Sequence, residues 1–228
     1  INLNKSSDNN YNRFGYMQFD LSDLDPDLID SAVLRFYIYE TNPDEGAKPG
    51  EGMNRTIEIK GVASEDWDED TLTWNFALSG DAPLAPVETI GKVSGIYCIV
   101  EPDGQYVEID ITDYIRKKAA EGSKATVQLS VPEVYNKGNI YIATKEHPGY
   151  SEDYNGEFAP QLVIGYYKMA DLEKLAEEFK EFENIEQGNY TDESWAVFEE
   201  ARNVVKDMLD NPKTTQGQAD AAMAKLRA

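Results

Sequence analysis

The run Asp66-Trp67-Asp68-Glu69-Asp70 places carboxylates at alternate positions, which is how a calcium-binding loop begins. The rest of that loop is missing: counting Asp66 as the first position, the sixth is Thr71 where the sharp turn needs Gly, and the twelfth is Ala77 where a bidentate Glu closes the shell. The cluster therefore reads as solvated loop carboxylates around a buried Trp67. His147 is the only histidine, so a Ser-His-Asp or Cys-His relay would have to pass through it, and its neighbours carry no nucleophile signature. The chain has no HExxH run, no glycine-rich phosphate loop ahead of a helix, and a single cysteine, Cys98. Set in the apolar stretch from Ile96 to Val100, Cys98 reads as a small buried hydrophobe. Acidic side chains are so numerous that no pair stands out as a glycosidase acid and base, and catalysis within these residues is not expected.

The chemistry that the residue types do support is sugar binding. Tyr135, Tyr141, His147, Tyr150 and Tyr154 lie within one segment, among Lys137, Lys145, Asn136, Asn139 and Asn155. Aromatic faces stack on the apolar face of a pyranose, and amides and cations hydrogen-bond its hydroxyls. Tyr150, between Pro148-Gly149 and Ser151, sits where turn residues hold a ring at the surface. It is the candidate stacking platform, with Lys145, His147 and Tyr154 around it and Arg13 as a further donor. Plainer roles stand beside this one: Tyr141 falls in strand alternation and packs, loop tyrosines are ordinary surface residues, and Arg13 and Arg35 form ion pairs with the abundant carboxylates.

From residue 14 to 167 the elements that must position these residues are strands. Ala32, Leu34, Phe36 and Ile38 alternate with Val33, Arg35, Tyr37 and Tyr39, and the same period of two returns at Val107 to Ile111, Val127 to Val131, Ile140 to Ile142 and Leu162 to Ile164. Turn residues such as Pro49-Gly50 and Asn136-Lys137-Gly138 punctuate them. The pattern predicts an all-β, jelly-roll-like sandwich over residues 1–167, interrupted by a short helix at 112–120 that Thr112 could cap. After Tyr167 the period becomes helical, with Leu172, Leu175, Phe179 and Phe182 on one stripe and Trp195, Phe198, Ala201, Val205 and Leu209 on a second. A third helix carries Ala219, Ala222, Met223 and Leu226. Thr191 reads as one cap and Thr215 with Gln218 as a capping box. Residues 168–228 are thus expected to form a separate small all-α three-helix bundle, with Trp195 in its core.

The formal charge of -22, from 43 acidic against 21 basic residues, repels phosphate backbones and argues against a nucleic-acid partner. No apolar run approaches the roughly 18 residues that span a bilayer, so no membrane insertion is expected. No charged-then-apolar segment precedes Asn2 to Asp20, and any targeting peptide lies outside the sequence.

Two family resemblances cover most of the chain. Arg13 to Ser22 (RFGYMQFDLS), Ser31 to Tyr37 (SAVLRFY), Glu65 to Asn75 (EDWDEDTLTWN), Val107 to Ile115 (VEIDITDYI) and Ala159 to Tyr166 (APQLVIGY) resemble the DNRLRE-like sandwich family, whose members are similar to jelly-roll carbohydrate-binding modules. Most of that family's leading strand is absent before Ile1. Tyr190 to Trp195 (YTDESW) and Asn211 to Gln218 (NPKTTQGQ) resemble FIVAR modules, three-helix units of extracellular bacterial proteins. Together the resemblances imply a secreted or cell-surface-attached parent, a polysaccharide or host glycan as ligand, and a catalytic domain elsewhere in the same parent chain. They also leave room for a structural calcium ion in the sandwich, with no ligands named. The rival expectation is an adhesion or purely structural spacer unit that binds protein or nothing.

Overall fold

The computed structural model describes residues 1–8, 11–41, 48–53, 55–64, 66–70, 72–73, 77, 84–99, 103–134, 139–145, 156 and 158–228. Among the described residues, nine strands form two antiparallel sheets in a first unit, Ile1–Gly165, and a second compact unit, Tyr166–Ala228, is helical. In chain order the strands are β1 (Asn2–Leu3), β2 (Gly15–Asp20), β3 (Ile29–Thr41), β4 (Thr56–Val62), β5 (Pro86–Ser94), β6 (Gln105–Asp110), β7 (Lys124–Ser130), β8 (Ile140–Ile142) and β9 (Gln161–Tyr166). One sheet runs β1-β8-β3-β6, with β9 also paired to β3, and the other runs β2-β7-β4-β5.

The alternation in β3 sends Ala32, Leu34, Phe36 and Ile38 inward, all fully buried, against Ile57 and Ile59 of β4, Val127 and Leu129 of β7, and Ile140 and Ile142 of β8 in one core. Cys98 is part of that core, as its apolar neighbours imply. A helix, α1 (Thr112–Glu121), adds Tyr114 and Ile115 to this core. Its Tyr114 hydroxyl donates to the Thr126 carbonyl at 2.5 Å and accepts from the Val62 amide at 3.3 Å. Gly61 makes room for that ring, since a Cβ there would stand 2.6 Å from Tyr114 Cε2. Thr112 does not cap α1. Its own amide donates to Asp110 Oδ1 at 2.8 Å, and its hydroxyl accepts from the Ala32 amide at 2.9 Å, tying the helix start to β3 instead.

The outward residues of β7 depart from the usual polar, solvated face. Thr126, Gln128 and Ser130 point away from the core yet are buried, because a second apolar cluster of Val62, Ala77 and Leu84, joined by Tyr16, Trp67 and Leu72, lies over part of this sheet. Farther along the same sheet, Glu58 of β4 holds Lys92 at 2.7 Å and Lys60 at 3.2 Å. The hydrogen bond from Lys92, followed by that from Lys60, keeps the Glu58 carboxyl below its ordinary range. A lowered folded pKa means stability that is present above the unfolded pKa of about 4.3 and lost as pH falls through the folded value. Glu58→Gln is therefore expected to flatten the fall of Tm between about pH 5 and 3, and thermal melts across that window check it.

Within the helical unit lie α2 (Leu172–Glu183), α3 (Asp192–Leu209) and α4 (Gln216–Arg227). Leu175 and Phe179, Ala201 and Val205, and Ala219, Ala222, Met223 and Leu226 form one buried cluster drawn from all three. Asp171 accepts from the Lys174 amide and Thr191 from the Ser194 amide, while Thr215 and Gln218 make the reciprocal capping box. Trp195 is not in this core. It is half-buried, stacked on Phe198 at 5.2 Å with Arg202 over both rings, and it lines an open apolar cleft instead. Among the described residues no helix is long and apolar enough to cross a membrane.

Candidate functional site

The edge strand β2 lines a groove of about 460 Å³. From β2 come Tyr16, Met17, Gln18 and Phe19; from the loop after β4, Trp67, Asp68 and Glu69; from beyond β8, Thr144 and Lys145. The strand period explains the first set. Met17 enters the core, so Tyr16 and Gln18 face out on the same side. Opposite them on β7 stand Gln128 and Thr126, by the register Tyr16 to Gln128 and Gln18 to Thr126.

Hydrogen bonds fix the two aromatic side chains. Trp67 Nε1 donates to Thr126 Oγ1 at 2.9 Å, and Gln18 Nε2 donates to the same oxygen at 3.1 Å. Gln128 Nε2 donates to the Tyr16 hydroxyl at 2.6 Å, and the Tyr16 and Trp67 rings meet edge to face with centroids 6.1 Å apart. Burial pushes the Tyr16 phenol above its ordinary pKa, outweighing the Gln128 bond, so it remains a neutral hydroxyl. This explains why Thr126 and Gln128 are buried polar residues on an outer face: they orient the rings. Lys145 forms an ion pair with Glu69, both side chains well exposed. A surface pair of this kind contributes about 1 kcal/mol or less and can rearrange when a ligand arrives.

Of the residues named from sequence, Lys145 lines this groove. Arg13 is exposed and lines an adjoining hollow with Phe14, Leu72, Thr73 and again Tyr16, its Nη1 donating to the Asn12 carbonyl. Arg35 takes the plainer role expected for it, paired to Glu108 at 3.2 Å and lying over the Tyr106 ring. His147, Tyr150 and Tyr154 lie outside the described residues. Tyr16, Gln18 and Trp67 line the groove and are missed by sequence reasoning. The signal that could find them is the polar alternation of Thr126, Gln128 and Ser130 in an otherwise apolar strand, which requires partners across β2. Among the described residues no group of three or more His, Cys, Asp or Glu side chains is placed to hold a metal ion. In the acidic turn, Asp68 Oδ1 accepts from the Asp70 amide at 2.9 Å.

An edge groove that combines fixed aromatic faces, amides, hydroxyls and a cation has the chemistry that sugar binding uses. Residues 2–165 match the family model of carbohydrate-binding module family 96, and the chain belongs to that family. The sandwich is thus a non-catalytic carbohydrate-binding module. Over 217 residues the chain is 24% identical to the polysaccharide lyase 8 family protein HylA of Enterococcus faecalis (strain ATCC 700802 / V583), covering 93% of this chain and 15% of that protein's length. Among solved structures, CBM51-2 with the INT domains of Clostridium perfringens ZmpB is 9% identical with a TM-score of 0.26, covering 93% of this chain and 33% of that one. A latent aurone synthase (polyphenol oxidase) is 13% identical with a TM-score of 0.34, covering 68% and 25%.

Proposed function

We propose that the sandwich holds a glycan in the groove between Tyr16, Trp67 and Lys145, and that the chain tethers a larger polysaccharide-active protein to a polysaccharide or host glycan. The observation that carries this reading is the bonding of Trp67 and Tyr16 to Thr126 and Gln128, which presents two rings in fixed orientation on an accessible edge. Fixed aromatic faces lose little conformational freedom on binding. The likeness to a polysaccharide lyase supports a multidomain parent with a catalytic domain in the same chain, and we read that parent as secreted or attached to the cell surface. By the segments quoted above we read the sandwich as DNRLRE-like, over residues 1–167, and residues 168–228 as a FIVAR-like three-helix bundle serving as spacer. Tyr150, His147 and Tyr154 belong to the proposal as neighbours of Lys145 in sequence. The groove needs no metal in this reading, and a structural calcium elsewhere in the sandwich would show as a lower Tm on chelation.

Stacked sugars bind weakly, with Kd on the order of 1 mM to 1 μM, or roughly -4 to -8 kcal/mol. Losing one ring therefore removes most of the measurable affinity. Trp67→Ala is expected to weaken binding at least about 30-fold, near 2 kcal/mol, in titrations of a glycan panel, with a melt showing that the variant is folded. Unchanged affinity in a folded Trp67→Ala protein refutes the groove. Silence of the wild type across the panel favours the adhesion or spacer reading.

A further inference from the structure

We infer that the helical unit carries a second glycan site, in the cleft that Trp195 lines. The cleft measures about 570 Å³ and is built within that unit alone. Phe182 comes from the last turn of α2, Tyr190 from the loop that follows, Trp195 and Phe198 from the first two turns of α3, and Lys225 and Arg227 from the last turn of α4. Its rings stay open where a packed core would bury them: Tyr190 is 65% exposed and Trp195 half-buried. They are also held in place. Trp195 stacks on Phe198, and the Arg202 guanidinium lies 5.4 Å from both ring centroids, fixed by bonds to the Ile185 carbonyl at 3.0 Å and to Glu199 at 3.3 Å. Aromatic faces set in advance lose little freedom when a ligand arrives.

The polar atoms around the rings point to the ligand's chemistry. Neither the Tyr190 hydroxyl nor Trp195 Nε1 is hydrogen-bonded to another of the described residues. Lys225 and Arg227 pair with Glu200 at 3.6 Å and Glu178 at 2.7 Å. These are exposed pairs that contribute about 1 kcal/mol or less and leave further N–H donors on each cation. A purely apolar ligand would strip water from such groups and give nothing in return. A pyranose matches both parts of the lining, because its apolar face lies on a ring while the hydroxyls at its edge reach the tyrosine oxygen, the indole N–H and the cations. The size agrees too. Small-ligand sites hold about 300–1,000 Å³, whereas a standard protein interface needs about 800 Å² on each partner. A polysaccharide repeats its units, so a chain with two sites can hold one polymer at two points, with avidity up to about 10²–10⁴ above either site alone.

The test titrates the full chain with gluco-, manno-, N-acetyllactosamine, hyaluronan and alginate hexasaccharides and with the matching polymers. It uses wild type, Trp67→Ala, Tyr190→Ala, Trp195→Ala and the Trp67→Ala/Trp195→Ala double variant, each checked by a melt. Wild type is expected to bind two oligosaccharides per chain, Trp67→Ala and Trp195→Ala one each, at different sites. Tyr190→Ala, at an exposed position that carries no core, should weaken the site lost in Trp195→Ala at least about tenfold, or 1.4 kcal/mol. On the polymer either tryptophan variant should lose at least about tenfold in apparent affinity, and the double variant should not be retained. Wild-type stoichiometry and polymer affinity in folded Tyr190→Ala and Trp195→Ala proteins overturn the second site and leave the groove standing. Binding untouched by Trp67→Ala but abolished by Trp195→Ala supports this site and removes the groove. Silence of the wild type toward every glycan overturns both.

Discussion

Phe36→Ala is expected to cost the sandwich about 3–5 kcal/mol, the usual range for emptying a buried phenylalanine site. Phe36 is fully buried at the middle of β3, in register with Val107 of β6 and on the same face as Leu34 and Ile38. β3 is hydrogen-bonded to β6 and to β8 and β9, so it cannot shift inward to fill the void without breaking ladders. The cavity term then adds to the lost transfer energy rather than relaxing away. Against a total stability of about 5–15 kcal/mol for a domain, this is about a fifth of the margin or more. At roughly 2–4 °C per kcal/mol for a chain of this size, Tm should fall by about 6–20 °C. Val163→Ala, at a position 48% exposed in β9, is the control and should change stability by less than about 0.5 kcal/mol. A Phe36→Ala melt close to wild type would mean that the two sheets do not meet at this residue.

That expectation uses the part of the fold most legible from sequence. The alternation in β3, β6 and β7 is unbroken, and the switch to a helical period after Tyr167 coincides with where the second compact unit begins, at Tyr166. β5 is not legible, because Pro86 to Ser94 is an edge strand whose outer residues are mostly exposed and whose pairing with β4 shifts register twice. With only one neighbour and a weakly buried face, it has no reason to alternate strictly. The site is half legible for a similar reason. Composition around the tyrosines points to Lys145, but the groove is assembled by register between β2 and β7 and by a loop far away in sequence, and no local spacing encodes that. Trp67 stands out in its acidic run and reads there as buried. Its indole is half-buried because Thr126 draws the N–H down while the ring stays at the groove. Trp195 departs in the same sense. Its spacing is that of a core stripe, yet it ends the first turn of α3, and the fully buried residues that α3 gives the shared cluster are Ala201 and Val205, farther along.

Phe179→Ala is expected to unfold the helical unit while the sandwich stays folded. The unit runs only from Tyr166 to Ala228, and a single core in a chain segment below about 70 residues rarely supplies more than about 3–5 kcal/mol. Phe179 is 4% exposed and sits on α2 within the one buried cluster that α2, α3 and α4 share. Its loss costs about 3–5 kcal/mol, as much as the whole unit has. The caps at Asp171, Thr191 and Thr215 offer no reserve, since each contributes about 1 kcal/mol to a helix that still needs its packing. Scanning calorimetry of the full chain should show two transitions in wild type and only the sandwich transition in Phe179→Ala, with helical ellipticity reduced from the start. Trp195→Ala separates core from surface within the same unit. Because the indole lies outside the buried cluster and stacks only on Phe198 and Arg202, the cost should be about 1 kcal/mol, with both transitions retained. If Phe179→Ala instead lowers a single shared transition, the helices and the sandwich fold as one cooperative body, and the helical segment is no independent spacer.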